Sequence, residues 1–504
     1  MKHLIVCRND LSLLPDNSRV IIRPFIPGNP QIVAGIVKRA LALTEEEVAT
    51  ELEALRADFN TRHFDIETLL LHHYQKISPA IAAGTPLSQN RKLLIGALFS
   101  GEYALESAAL FNPSIVPHPD QSGVPDGCMR FIMSLRATGE GHISSIEFRT
   151  GLIQKDGSIS VDPVSRFVTV PDIVPNPTYN KKLFITKLQE MGFRGDHATA
   201  VMNPLSERFT LKELDESVQR VRQQSDVSRD LHRSLGNFYL ANKTTSISQD
   251  VQRTLECIRW LAESNYELNF SSKLALSERI IFPVSSNESN GIEDARFVHF
   301  INDDGSAMYY ATYTAYNGHA ILPQLIETND FLHFRVLTLN GNAVQNKGMA
   351  LFPRKVHGQY LMLSRQDDQN LFLMRSDNPH HWENPELLMG PAEMWESVKI
   401  GNCGSPIETE AGWLVITHGV GPMRKYCIGA ALLDLDDPTR VIGRLREPLL
   451  MPEGHEREGY VPNVVYSCGS LIHGKRLILP YAMSDRATAA IHVSLNVLLD
   501  CMRS

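Results

Sequence analysis

Two stretches of the chain place reactive groups close together. Gly291-Ile292-Glu293-Asp294-Ala295-Arg296 sets two carboxylates and a guanidinium just ahead of an apolar run that begins at Phe297. The aromatic segment Tyr309 to Tyr316 follows. Strand alternation predicts Tyr309, Ala311 and Tyr313 on one face, with Tyr310, Thr312 and Thr314 on the other. Acids and alcohols pair with hydroxyls while aromatic rings pack on C–H faces, so this combination suits a sugar. The same residues also fit an Asp–Arg pair capping a strand beside a Tyr-rich core.

Further along, Lys347, Arg354, Lys355, Arg365, Lys399 and Lys425 recur near strand ends, together with Tyr360, His418 and Tyr426. A closed all-β scaffold can bring such ends to one place, where cations and an imidazole make an anion pocket. Without that convergence each is a solvated surface charge. No HExxH spacing occurs, and the pairs His72-His73 and His380-His381 are adjacent in sequence, poor geometry for ligation from one face. No metal or cofactor is expected.

The elements that must position these groups fall into two textures. From about Leu43 to Leu110 the pattern is helical: Val48, Leu52, Leu55 and Phe59 form a stripe behind the capping box Thr44 to Glu47, and two further apolar sets follow after Pro and Gly breakers. After Phe111-Asn112-Pro113 come short apolar runs bounded by turn residues, among them 128–135, 142–148 and many from Ala295 onward. Hairpin turns are predicted at Asp304-Gly305, His357-Gly358 and Ala411-Gly412. Strands so short and regular read as a sandwich, barrel or propeller. A helical insertion at about 200–265 interrupts them, with a capping box at Thr210 to Glu213 and a stripe of Val251, Leu255, Ile258 and Leu261.

Composition bounds the rest. The chain has 504 residues, 49 Lys and Arg against 57 Asp and Glu, a net charge of -8, and 43% hydrophobic residues. This length suggests about two to four structural units, and the acidic balance argues against a nucleic-acid partner held by bulk charge. No apolar window approaches membrane-spanning length, and the N-terminal run before Arg8 is too short for a signal peptide. The seven cysteines contain no CxxC pair. Buried free thiols in a reducing cytoplasm are expected, with no membrane association.

The ordered set GIEDAR, YYATYTAY, NKGMALFPRK with Arg365 downstream, SDNPHHW, Lys399, GWLVITHG, AALLDLDDPTRVIGR, EREGYVPNVVY and YAMSD resembles glycoside hydrolase family 130. The resemblance is strong from about Ser277 to Asp485, and FNPSIV with Arg136 looks like the family's first sugar-binding blade. It implies a mainly β fold, a five-bladed β-propeller over residues 106–504, with an α-helical domain at 1–105 and the helical insertion outside the common core. It implies an inverting phosphorylase that takes a β-mannoside and inorganic phosphate to α-mannose 1-phosphate and a shortened acceptor. Asp294 matches the general acid, which in the family passes its proton through a mannose hydroxyl. Lys347, Arg365, Lys399, His418 and Tyr426 match phosphate-holding positions, and Asn112, Arg136, Glu293 and Asp485 match the mannose subsite.

Phosphorolysis has its own charge logic. An inverting hydrolase needs an acid and a base carboxylate about 6.5–9.5 Å apart. Phosphate is already charged, so a phosphorylase needs cations to neutralise and aim it, and a nearby carboxylate would repel it. No acid stands at the matched cationic positions. Two departures are visible: Lys347 stands where many β-1,4-mannoside phosphorylases carry arginine, and Gly348 where they carry asparagine. Glu456 and Glu458 are available carboxylates, each either a loop charge or a base. The alternatives are an inverting β-mannosidase of the same family and, from another class, a non-catalytic glycan-binding propeller.

Overall fold

A computed structural model describes residues 4–82, 84–234, 238–318 and 321–503. The chain is mainly β. Among the described residues, five antiparallel sheets of four to six strands carry the polar groups singled out above, beside two two-stranded pairs. The first sheet is built on Ala109–Pro117, Met129–Thr138 and Ser144–Ile153, the second on Gly291–Ile301, Ala307–Tyr316, Ile321–Thr328 and His333–Thr338. The third runs from Ala350–Leu351 to Glu383–Met389, and the fourth from Lys399–Asn402 to Val441–Arg444. The fifth combines Arg476–Met483 and Ala487–Ser494 with Val6–Leu13.

Alternating apolar residues on these strands bury both sheet faces. Each sheet shares an apolar cluster with two others. Phe148 of the first meets Phe297 of the second, and Phe300 of the second shares a cluster with Met362 of the third. Phe352 and Trp413 join third to fourth, Leu414 and Tyr481 belong to a cluster joining fourth to fifth, and Met133 with Ile478 joins fifth to first. The hairpin turns read from sequence are present, with Gly305 at φ 81° and His357-Gly358 at φ 49° and 77°.

Four helices, Pro30–Ala42, Glu45–Phe59, Ile66–Ile77 and Gln89–Leu98, precede the first sheet, and the Thr44–Glu47 capping box is closed at both hydrogen bonds. The strand Val6–Leu13 departs from the helical assignment of residues 1–105. It pairs antiparallel with Ala487–Ser494, Val6 opposite Val493 and Leu13 opposite Thr488. Its apolar residues alternate too weakly to announce a strand, because its partner lies at the other end of the chain. The helices of the insertion begin ahead of residue 200. They start at Lys181–Glu190 and continue through Asp196–Met202, Leu211–Ser234 and Phe238–Glu263 around an apolar core of their own. Their flanking strands, Asp172–Ile173 and Tyr266–Asn269, complete the second sheet.

A fully buried ionic cluster joins the chain before the helices to the first sheet. Arg19 pairs with Glu106 at 2.8 Å and Glu147 at 2.7 Å, and Arg149 pairs with the same two carboxylates. Among the described residues no helix is long and apolar enough to cross a membrane.

Candidate active site

Asp294 and Asn112 reach the site by the same local device. Each sits in an edge strand of its sheet at a bulge, between Glu293 and Arg296 in one case and between Phe111 and Ser114 in the other. Each has a left-handed backbone, φ 55° and φ 50°. A bulge re-aims a side chain out of the ladder, and Asp and Asn tolerate positive φ better than most residues. The result is direct contact: Asn112 Nδ2 donates to Asp294 Oδ1 at 2.7 Å.

Arg136, near the end of its strand, completes this half. Its guanidinium lies over the Phe111 ring and donates to Asp294 Oδ1 at 3.3 Å and to Glu293 Oε1 at 2.9 Å. Lys347 Nζ pairs with the other Glu293 oxygen and lies 5.9 Å from the centre of the Tyr316 ring. Burial pushes the Asp294 carboxyl up, but Arg136, Arg296, the Asn112 hydrogen bond and Lys347 outweigh it and hold it below the ordinary aspartate range. Asp485, in the turn between the last two strands of the fifth sheet, has φ 51°. Burial and the charge of Asp294 push its carboxyl up to about 6, against the opposing pull of Arg136.

The second half gathers cations. Arg365 donates to His418 Nε2 at 3.0 Å and to Asp368 Oδ1 at 2.7 Å, and Lys399 Nζ donates to Asp368 Oδ2 at 3.0 Å. Burial, then Arg365, Arg296 and Lys399, push the His418 imidazole well below its ordinary value, so it is neutral. A guanidinium can only donate, so Nε2 is the acceptor and Nδ1 carries the proton. His418 therefore braces Arg365 rather than offering that nitrogen to a ligand. Tyr426 stacks parallel to His418, with ring centres 6.1 Å apart. Gly401 makes this packing possible: a Cβ there would lie 2.4 Å from His418 Cε1 and 2.8 Å from Arg365 Cδ.

Arg296 and Tyr466 connect the halves. Arg296 donates to the Asp294 carbonyl at 3.2 Å and to the Tyr466 hydroxyl, and the Tyr466 ring meets His418 edge-on at 4.9 Å. A Cβ on Gly348 would lie 3.5 Å from Arg365 Nε, so the Lys347-Gly348 turn also touches the second half. All ten residues read from sequence thus fall into two adjoining groups, with Lys347 beside Glu293 rather than beside Arg365 and Lys399.

Two open alternatives narrow and one expectation changes. The hydroxyl-rich face of Tyr309 to Tyr316 does not line a sugar site: Thr312 donates to the Met349 carbonyl, and Tyr310 is packed in an apolar cluster. On the opposite face, Tyr313 bonds Glu288 and Gln324. Glu456 is locked, accepting from Arg8 at 3.1 Å and Tyr481 at 2.6 Å. A carboxylate does stand among the cations, for Asp368 bridges Arg365 and Lys399. Arg296 and Tyr466 lay within quoted motifs, but nothing in the local pattern marked Asp368.

An enzyme-like polar site on an all-antiparallel scaffold is thus assembled from every one of the five sheets. A family model described as beta-1,4-mannooligosaccharide phosphorylase matches residues 253–504, half of the chain. The chain belongs to glycoside hydrolase family 130. It is 36% identical over 215 residues to 1,2-beta-oligomannan phosphorylase of Thermoanaerobacter sp. (strain X514), a match covering 41% of this chain and 71% of that one. It is 31% identical over 229 residues to beta-1,2-mannobiose phosphorylase of Listeria innocua, covering 44% and 62%. Beta-1,4-mannooligosaccharide phosphorylase of Ruminococcus albus is 34% identical over 171 residues, covering 32% and 51%. A solved structure of the Listeria innocua beta-1,2-mannobiose phosphorylase with beta-1,2-mannobiose aligns at TM-score 0.45 and 20% identity, over 78% of this chain and 92% of that one.

Proposed function

We propose that the chain is an inverting β-mannoside phosphorylase. The observation that carries this reading is the convergence of Arg365 and Lys399 on one anionic group, the Asp368 carboxylate, beside the acid-bearing half of the site. Two cations already arranged around two oxygens suit a phosphate that displaces the half-exposed Asp368 side chain. Naming of relatives as mannoside phosphorylases supports the substrate class. The five clusters shared between successive sheets support a five-bladed propeller over residues 106–504 that also takes in the strand Val6–Leu13, with the four helices between Pro30 and Leu98 beside it. The free thiols of Cys7, Cys128, Cys257, Cys403, Cys427 and Cys468 accord with a cytoplasmic location.

In this reading Asn112, Arg136, Glu293 and Asp485 hold the mannose ring. Arg365, Lys399 and Tyr426 hold phosphate, His418 braces Arg365, and Lys347 bridges the two subsites. A phosphate oxygen attacks the anomeric carbon from the face opposite the bond that breaks. Asp294 protonates a mannose hydroxyl, which passes its own proton to the departing glycosidic oxygen. The products are α-mannose 1-phosphate and an acceptor shortened by one mannose. In the unliganded site Asp294 is ionised. Arrival of a phosphate anion offsets the nearby positive charge and raises its proton affinity, so acid function is coupled to phosphate binding.

One observation favours a second reading. Asp368 is a half-exposed carboxylate among the cations, a group able to activate water, so an inverting β-mannosidase is the alternative. A panel of β-1,2-, β-1,3- and β-1,4-linked mannobioses, incubated with and without phosphate, decides between them. Phosphate-dependent mannose 1-phosphate is expected, whereas mannose released at full rate without phosphate and lost in Asp368→Asn supports hydrolysis.

A further inference from the structure

We propose that Tyr460 and His142 form the stacking surface for the acceptor sugar and that the chain ahead of the family-matched region holds it in place. The inference rests on the mannoside reading above and specifies where the second sugar sits. Both side chains are exposed, and their rings lie 5.4 Å apart, tilted by 35°. Paired rings open to solvent offer the flat apolar area on which sugar C–H faces pack, and the phenol and imidazole edges supply hydrogen-bonding groups.

Their backbones fix them next to the mannose subsite. Tyr460 lies between Gly459 and Val461. The Val461 amide donates to the Ser484 carbonyl at 3.1 Å, and a Cβ on Gly459 would lie only 2.3 Å from that same oxygen. Ser484 is the neighbour of Asp485, and its hydroxyl donates to the Glu456 carbonyl at 2.7 Å. His142 lies in the turn that follows the strand carrying Arg136. Just past it, Ser144 donates to the Ile292 carbonyl at 3.0 Å, next to Glu293. The two rings therefore meet where the segment joined to Ser484, next to Asp485, comes up against the segment joined to Ile292, next to Glu293.

Tyr103 sets the His142 turn. Its hydroxyl donates to the Ile143 carbonyl at 2.9 Å, and Gly139 is pressed so close that a Cβ would lie 2.6 Å from that hydroxyl. Tyr103 lies in the strand Ser100–Ala104 directly after the four helices and pairs with Val20–Pro24 ahead of them. The segment that the family model does not match thus supports one of the two rings. Tyr103 is a positioning residue here, and Tyr460 and His142 are the contacts.

The test uses the full chain carrying Asp294→Asn, titrated in phosphate-free buffer with mannose and with mannobioses and mannotrioses of each linkage, by calorimetry and saturation-transfer NMR. At least one oligosaccharide is expected to bind. Adding Tyr460→Ala should weaken it about tenfold, the scale of one lost stacking contact, with mannose affinity unchanged. Tyr460→Phe should restore most of the binding. His142→Asn, which keeps a residue tolerant of φ 60°, should weaken oligosaccharide binding as well. Tyr103→Phe should lower oligosaccharide but not mannose affinity, a split that a general loss of stability would not produce. Equal oligosaccharide affinity with and without the Tyr460 ring overturns the proposal, as does failure of every oligosaccharide to bind. Binding through Tyr460 in a wild-type chain that releases no mannose 1-phosphate would leave the surface standing and remove the phosphorylase reading.

Discussion

Asp294 and Asp485 both feel the guanidinium of Arg136, yet their proton affinities move in opposite directions. Asp294 has two direct donors, Asn112 and Arg136, while for Asp485 burial and the neighbouring charge of Asp294 outweigh the attraction of Arg136. A carboxyl raised above its unfolded value of 3.8 favours the native state when protonated. That contribution is complete below about pH 4 and is lost as pH rises through about 6. Asp485→Asn should therefore stabilise the protein relative to wild type increasingly between pH 4 and pH 7, read as the difference in Tm by calorimetry. A flat difference would show that burial and Asp294 together do not raise the Asp485 carboxyl against Arg136. Asp294→Asn should lower phosphorolysis by roughly 10²–10⁴-fold, the usual contribution of a positioned acid, with little change in Tm because the amide oxygen can still accept from Asn112 and Arg136. Arg365→Ala should raise the KM for phosphate far more than that for the mannoside, measured by varying each at saturation of the other. Asp294, Arg136 and Asn112 were singled out through the family resemblance, Asp294 within GIEDAR and Asn112 within FNPSIV, and their side chains do meet. Asp368 was not singled out, since a carboxylate three residues past an arginine is ordinary on any loop and only the fold turns it toward Lys399.

At the scale of elements, the site depends on strands that leave the regular ladder at chosen points. The bulges at Asn112 and Asp294 turn polar groups inward, and the short strand Lys399–Asn402 keeps a glycine where the His418 and Arg365 side chains need room. Gly401→Ala should displace His418 and Arg365 together. The expected result is a phosphate KM raised about as much as by Arg365→Ala, with CD confirming a folded chain. Strand texture, hairpin turns and the capping boxes could be read from sequence because alternation, Asp-Gly and Thr-x-x-Glu patterns are local. The bulges could not, for a bulge is defined by its partner strand. The same limit hid Val6–Leu13, whose pairing with Ala487–Ser494 depends on residues at the other end of the chain.

The whole molecule is fastened at two places where distant parts of the chain meet. One is the buried cluster of Arg19, Arg149, Glu106 and Glu147, in which burial and the adjacent Glu147 raise the Glu106 carboxyl to about 8. Arg19→Met would leave Arg149 as the one cation of the cluster for two buried carboxyl groups and should cost about 3–5 kcal/mol of stability, measured by urea unfolding. The other is the strand Val6–Leu13 in the fifth sheet, which also supplies Arg8 to Glu456 and so supports the turn before Asp485. Its partner emerges from the ribosome nearly a full chain length later. At about 5–20 residues per second the early strand waits roughly 25–100 s with its edge unpaired. The four helices beside it, made of local contacts, can fold during that interval, whereas the fifth sheet can close only after synthesis has passed Ser494. Nascent chains would therefore be most open to mispairing with one another late in translation, and chaperone demand should be concentrated there.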